Sequence, residues 1–191
     1  DSSFSDVLAN TSYRNAVNWA ASSSVMTGFT NNTFRSYDNI GRSTMTQILW
    51  RMAGSPQAAT SSSFRDVPSN AAYKKAVDWA KETGIVTGYS DNTFHPSELV
   101  TRKQLLQFVW RLSGSKVSTK SAQYSDVRPD TNYIPALNWA NDYGVLTVPP
   151  SRMFYPDLPV TRQYTVNILY NLAKNELAWK NRNTAPATVL F

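Results

Sequence analysis

Apolar residues recur with helical spacing in two stretches of each third of the chain. The first stretch places its apolar residues at helical positions i, i+3, i+4 and i+7: Tyr13, Ala16, Val17 and Ala20. The second stretch of each third opens at an arginine, and its apolar positions are Met45, Ile48, Leu49 and Met52; Leu105, Phe108, Val109 and Leu112; and Val166, Ile168, Leu169 and Leu172. The pattern predicts a mainly all-α chain with paired amphipathic helices.

Turn-forming residues separate these predicted helices. Residues 87–94 read Thr-Gly-Tyr-Ser-Asp-Asn-Thr-Phe, a composition that supplies positive φ angles and side-chain-capped turns and leaves short strands open. Serines at 22–24 are expected to end the first helix, and Gly84 is expected as a left-handed cap of the third.

The chain repeats itself every 60 residues without a gap. Phe4-Ser5-Asp6-Val7 aligns with 64–67 and 124–127, and Trp19 aligns with Trp79 and Trp139. We therefore expect three copies, 1–60, 61–120 and 121–173, followed by an extension, 174–191. Because a two-helix repeat cannot bury its apolar face alone, all of these parts should form one cooperative unit.

The extension has a pattern of its own. Glu176, Trp179 and Lys180 indicate a short extra helix, and residues 185–191 look extended. The chain begins at Asp1 without a signal-peptide pattern, so we expect a mature or excised fragment.

Composition argues against catalysis and against cofactors. The chain has no cysteine and one histidine, His95, which leaves no material for a thiolate site, a multi-histidine metal site or a Ser-His-Asp triad. Asp6, Asp66 and Asp126 are identical carboxylates, which fit the capping of a helix or turn better than distinct acid and base roles. We expect no enzyme activity, no metal and no cofactor.

The net charge of +6 favours an anionic partner. The excess lies mainly in the middle copy, and no basic run or nucleic-acid motif is present, so nucleic acid is not expected. No segment is long and apolar enough to span a membrane.

The arginines that open the second helices, Arg42, Arg102 and Arg162, are the most informative candidates. A cation at the first helical position lies at the positive end of the helix dipole, which disfavours it. Two explanations are open. An anion could bind the arginine together with exposed helix N–H groups, or each arginine could pair with a nearby acid. The candidate acids are Asp38, Glu98, Asp157 and the repeated aspartates at 6, 66 and 126.

The loops add further candidate binding residues. Gly28 and Gly88 would permit a close backbone approach by a ligand or serve turn geometry alone. Phe29 and Tyr89 follow them and could stack on a sugar ring, whereas the repeated tryptophans are expected in the core. In the third copy, residues 147–150 read Thr-Val-Pro-Pro, so a site lined by that loop should be altered or inactive.

These motifs, in order and in triplicate over residues 4–173, resemble the S-layer homology (SLH) family. The second copy matches best, with residues 64–67, 88–96 and 100–104. The resemblance implies a compact pseudo-threefold spindle of three helix-loop-helix repeats around a shared helical bundle, with the open solenoid as the alternative.

The resemblance also implies a function. SLH modules bind a secondary cell-wall polysaccharide on the bacterial surface, and the arginine of a Thr-Arg-Ala-Glu motif is linked to a ketal-pyruvylated sugar in grooves between repeats. The matching positions are Arg42, Arg102 and Arg162, although no copy keeps the full motif. We place Arg102 in a groove with Gly88 and Tyr89 and expect it to contribute more than Arg162. The alternative is a scaffold that joins S-layer subunits without binding glycan.

Overall fold

The computed structural model describes residues 4–182, with side chains described through residue 175. Within this range the chain forms six α-helices: α1 (Arg14–Ser22), α2 (Arg42–Met52), α3 (Lys74–Glu82), α4 (Arg102–Leu112), α5 (Ile134–Asp142) and α6 (Arg162–Arg182). The mainly helical fold and the two-helix repeat predicted from apolar spacing are confirmed. The predicted left-handed cap is confirmed as well, because Gly84 has a φ of 70° directly after α3.

A ring of three backbone hydrogen bonds joins the copies just before their second helices. The N–H of Ile40 donates to the carbonyl of Val160 at 3.1 Å, Val160 donates to Val100 at 2.8 Å, and Val100 donates to Ile40 at 2.9 Å. All three side chains are buried. Isolated β-bridges flank this ring and also join different copies: Asn39 with Thr161, Gly41 with Leu99, and Thr101 with Pro159.

Helix packing follows the same cycle. The second helix of each copy packs on the first helix of the next copy: α2 on α3, α4 on α5, and α6 back on α1. An open solenoid would leave the first and last copies apart, so the α6–α1 contact contradicts that alternative. The contacts are those that a closed arrangement of three copies requires.

One hydrophobic cluster draws residues from all three copies. Phe34, Phe94 and Phe154 are fully buried in it, and Trp79 and Trp139 are buried as well. Trp19 is partly buried against the cluster, so the prediction that the repeated tryptophans belong to the core is confirmed. Each copy therefore buries apolar surface that it shares with the other two.

The repeated aspartates cap the turn that leads into each second helix. Asp66 accepts the backbone N–H groups of Phe94 and His95 on its two carboxylate oxygens, at 2.8 and 2.7 Å. Asp6 and Asp126 make the equivalent pairs of bonds in their own copies. The turn-capping role predicted for these carboxylates is confirmed.

The third copy ends differently from the other two. Gly54 and Gly114 each adopt a φ of 83° beyond α2 and α4, but the equivalent residue of the third copy is Lys174. Without a left-handed stop, α6 continues to Arg182 through residues that favour a helix. The helix predicted around Glu176 is therefore present, but as a continuation of α6 rather than as a separate short helix, and the extended segment predicted at 185–191 lies outside the described residues.

Two further properties of the described residues concern membranes and metals. No helix there is both long and apolar enough to cross a membrane. Histidine and carboxylate side chains do not gather in groups that could hold a metal ion in the same part of the chain.

Candidate functional site

Each candidate arginine reaches out of its own copy into the loop of the next one. Three contacts result, which we call junctions. Arg42 meets loop 87–98 in the first junction, Arg102 meets loop 147–158 in the second, and Arg162 meets loop 27–38 in the third. The arginines thus lie between copies, as the sequence predicts.

The pairing of arginine and loop differs from the prediction. We expected Arg102 beside Gly88 and Tyr89 of its own copy, but Arg42 occupies that position, with its Cζ 5.1 Å from the centre of the Tyr89 ring. Likewise Arg162 lies beside Phe29, at 5.1 Å. The expectation that Arg102 contributes more than Arg162 loses its basis, because the loop beside Arg102 is the diproline loop of the third copy.

Arg42 and Arg162 are held in the same way. Nε of Arg42 donates to the carbonyl of Phe94 at 2.8 Å, and its Nη2 donates to the carbonyl of Thr87 at 2.8 Å. Arg162 makes the equivalent bonds to Phe34 and Thr27, both at 2.7 Å. In both residues Nη1 makes no hydrogen bond within the described part of the chain, so donors remain available.

These two guanidinium groups are buried charges that lack an ion-pair partner. Arg42 is 4% exposed and Arg162 is 7% exposed. Among residues with described side chains, neither forms an ion pair with Asp38, Glu98, Asp157 or any other carboxylate. The ion-pair explanation for these arginines is therefore wrong. Their partners are neutral carbonyls, an arrangement that leaves a buried positive charge uncompensated at short range.

Electrostatics of the surroundings follow from this burial. Loss of solvation lowers the pKa of Arg42, while the more distant Tyr89, Glu98 and Asp66 oppose the change. Burial also lowers the pKa of Arg162, while the negative charges of Asp38 and Asp6 act to raise it. A guanidinium remains protonated at neutral pH regardless, so both junctions carry a fixed positive charge.

The helix N–H groups are not free to bind an anion, contrary to the prediction. The N–H of Arg42 donates to the carbonyl of Glu98 at 2.9 Å, and that of Ser43 donates to Pro96 at 2.9 Å. The helices α4 and α6 begin with equivalent bonds to the loops that follow them in the cycle. Neighbouring loop carbonyls satisfy these first-turn donors, which leaves the guanidinium as the available anion-binding group.

Capping of α4 matches the sequence. The N–H of Thr101 donates to Oε1 of Gln104 at 2.9 Å, which completes the predicted capping box. In α6 the hydroxyl of Thr161 accepts the N–H of Tyr164 at 3.1 Å, so the cap is kept without its reciprocal partner.

The two loop glycines face a ring of their own copy rather than a ligand. A Cβ on Gly88 would lie 2.1 Å from Cε1 of Phe64, and one on Gly28 would lie 2.1 Å from Cε1 of Phe4. Neither backbone has a positive φ, so close packing of the phenylalanine explains the glycine. Direct ligand approach to Gly28 and Gly88 is therefore not supported on that face.

The first junction contains a polar cluster that sequence reasoning missed. The hydroxyl of Tyr89 donates to the carboxylate of Glu98 at 2.7 Å. His95 stacks on Tyr89 with ring centres 4.4 Å apart, and its Nδ1 lies 3.2 Å from Oε2 of Glu98. His95 and Glu98 stand at the two ends of a turn closed by a bond from the N–H of Glu98 to the carbonyl of His95 at 3.1 Å, and their spacing in the sequence was the available signal.

The second junction is occupied by aromatic side chains. Arg102 makes one hydrogen bond to the next copy, from Nη1 to the carbonyl of Phe154 at 3.0 Å. Its Cζ lies 4.4 Å from the ring centre of Tyr164 and 5.7 Å from that of Tyr155. Burial raises the pKa of Tyr164 to about 12. Arg42 and Arg162 each donate to a Thr carbonyl of the loop, whereas Arg102 makes no equivalent bond among the described residues, which is consistent with the altered site predicted for the diproline loop.

The fold and the junctions define a triplicated module with cationic contacts between copies. The family model of the S-layer homology domain matches three tandem segments, residues 3–40, 63–106 and 123–163, which together exceed half of the chain. The chain therefore belongs to the S-layer homology domain family. It is a cell-wall-anchoring module of an extracellular bacterial protein associated with the cell wall or S-layer.

Similar curated proteins are much longer than this chain. S-layer protein EA1 of Bacillus anthracis is 27% identical over 72% of this chain and 16% of its own length. An endoglucanase of a Bacillus species is 37% identical over 42% of this chain and 8% of its own length. Cell surface glycoprotein 1 of Acetivibrio thermocellus is 23% identical over 74% and 7%, respectively. The chain thus spans less than a fifth of these relatives.

Proposed function

We propose that this chain is a non-catalytic anchor that binds an anionic, ketal-pyruvylated secondary cell-wall polysaccharide in grooves at the junctions. The first and third junctions, with Arg42 and Arg162, are the principal binding sites. Tyr89 and Phe29 form the aromatic walls against which a sugar ring packs. The second junction, with Arg102, contributes less.

The observation that carries the proposal is the uncompensated burial of Arg42 and Arg162. Buried charges in proteins are normally paired. Removing one partner of a buried pair destabilises a protein by several kcal/mol, because the other charge is left without compensation. Both residues keep an unbonded Nη1 within the described part of the chain. A carboxylate on the ligand would accept these donors and supply the missing charge.

The aromatic walls fit the same ligand. Phe29 and Tyr89 are exposed by 38% and 39%, each directly beside a buried arginine. The exposed part of each ring can contact the apolar face of a sugar while the guanidinium binds its acidic substituent. A polymer that carries this substituent repeatedly would engage both junctions and gain avidity.

A scaffold for S-layer subunits is the second candidate function. The observation that favours it is a set of exposed apolar side chains near the central ring of backbone bonds: Tyr37, Leu99 and Leu158. Each belongs to a different copy, so a partner protein could contact all three copies at once.

A pull-down on purified cell-wall sacculi separates these two functions. The protein is mixed with sacculi before and after chemical removal of the attached polysaccharide, and bound protein is quantified. An anchor binds intact sacculi and loses binding when the polymer is removed. A scaffold shows no polymer-dependent binding, and this result would contradict the proposal.

A further inference from the structure

The residue that follows the buried phenylalanine has the same left-handed backbone conformation in each copy. Arg35, His95 and Tyr155 have φ angles of 55°, 56° and 55°. Their backbone N–H groups donate to the repeated aspartates at 2.7, 2.7 and 2.6 Å. A left-handed conformation costs a non-glycine residue about 1–2 kcal/mol. All three copies keep it, so the turn sets the same side-chain position three times with three different chemistries.

In the third junction this position adds a permanent positive charge. Cζ of Arg35 lies 4.0 Å from the ring centre of Phe29, and Cζ of Arg162 lies 5.1 Å from the same centre. Two guanidinium groups therefore share one aromatic ring. Burial is the main cause that lowers the pKa of Arg162, and the charge of Arg35 lowers it further.

In the first junction the same position carries a titratable ring. His95 stacks on Tyr89 at 4.4 Å, and Cζ of Arg42 lies 5.1 Å from the centre of the Tyr89 ring. The carboxylate of Glu98 lies 3.2 Å from Nδ1 of His95. Neutral His95 thus leaves a carboxylate beside the binding arginine, whereas protonated His95 neutralises that carboxylate and adds no repulsion to a bound anion.

We propose that the residue at positions 35 and 95 determines the charge selectivity of its junction. Arg35 makes anion binding in the third junction nearly independent of pH. His95 makes anion binding in the first junction tighter as the pH falls, because histidine changes charge between about pH 5 and 8. This inference rests on the proposed function of the two junctions.

Three carboxylates lie close enough to interact with His95. Glu98 contacts the imidazole directly, and Asp66 and Asp91 act on it electrostatically. Tyr89 stacks on the His95 ring, and Cζ of Arg42 lies 5.1 Å from the centre of the Tyr89 ring.

The test is a calorimetric titration with a methyl glycoside that carries a pyruvate ketal. Arg162→Met isolates the first junction and Arg42→Met isolates the third. At about pH 5.5 we expect the first junction to bind the probe about fivefold more tightly than at about pH 8, the size expected for one added charge at a partly exposed site. The third junction should change by less than about twofold.

Reciprocal substitutions provide the decisive control. His95→Arg should remove the pH dependence from the first junction, and Arg35→His should create it in the third. The same two substitutions are also made in the otherwise unchanged protein, so that the test does not depend on the folding of the arginine variants. His95→Gln, which carries no charge at either pH, should bind equally at both.

The outcomes are distinguishable. This inference is overturned if His95→Gln still binds the probe in a pH-dependent way. It is also overturned if the unchanged first junction binds the probe equally at both pH values. Either result leaves the anchor function intact. Absence of probe binding by the unchanged protein at any pH overturns the proposed function and this inference with it.

Discussion

Replacement of Arg42 by methionine should remove one binding site and keep the fold. The side chain offers the ligand an unbonded Nη1 and a full charge. A hydrogen bond to a charged group contributes about 1.5–3 kcal/mol, so affinity at the first junction should fall by about 10- to 150-fold. Because the third junction is unaffected, total capacity for a monovalent probe should fall by about half.

The effect on stability should be small for a stated reason. The variant loses two hydrogen bonds, to the carbonyls of Phe94 and Thr87, which contribute about 1 kcal/mol each. It also removes a buried charge that lacks a short-range counter-charge, and that removal offsets the loss. Thermal unfolding followed by circular dichroism should therefore show a cooperative transition near that of the unchanged protein.

The matched control is Arg102→Met in the second junction. Arg102 is only partly buried, unlike Arg42 and Arg162, so it lacks the buried unpaired charge that favours ligand binding, and its loss should change probe capacity little. Calorimetry with the pyruvylated methyl glycoside measures both variants. Equal losses of probe-binding capacity in Arg42→Met and Arg102→Met would refute the distinction between junctions. Loss of folding in Arg42→Met would show that the role of Arg42 is mainly structural.

Three further predictions concern the fold. Ser24 has a φ of 59° and stands where the second copy has Gly84, so Ser24→Gly should raise the free energy of unfolding, measured by chemical denaturation, by about 0.5–1 kcal/mol. A lower free energy of unfolding would contradict the backbone argument. Gly88→Ala should lower the free energy of unfolding by about 1–3 kcal/mol, because the new Cβ meets the ring of Phe64. Gly41→Ala is the control and should change it less, because the nearest atom to its new Cβ is 3.3 Å away; equal effects would contradict the packing explanation. Residues 61–120 alone should not fold, because α3 and α4 pack on helices of other copies or share a core with them, and a cooperative transition of the monomeric fragment would contradict this.

The helices and their buried faces were predictable because apolar spacing is a local property of the chain. The partner of each arginine was not. A period of 60 residues shows that contacts recur, but it does not show whether Arg102 meets the loop of its own copy or that of the next one. The closed cycle of α2–α3, α4–α5 and α6–α1 contacts decides this, and it depends on tertiary packing.

Two other features of the site lay beyond sequence reasoning for physical reasons. The first-turn N–H groups of α2 donate to loop carbonyls of another copy, a pairing between residues distant in sequence. In the sequence, Tyr164 stands at the capping-box position that Gln104 holds in the second copy. In the structure its ring lies beside Arg102 of the preceding copy. Gly28 and Gly88 were predicted as binding residues, but the nearby ring of Phe4 or Phe64 accounts for each glycine, and that packing partner could not be predicted from the sequence.

The most direct measurement of the central claim compares two forms of one wall sugar. The protein is titrated by calorimetry with a pyruvylated wall-sugar fragment and with the same fragment lacking pyruvate. If Arg42 and Arg162 bind the ligand carboxylate, the pyruvylated form should bind about 10-fold or more tightly than the neutral form. Equal affinity for the two forms would contradict the arginine-based account and leave stacking on Tyr89 and Phe29 as the explanation for binding.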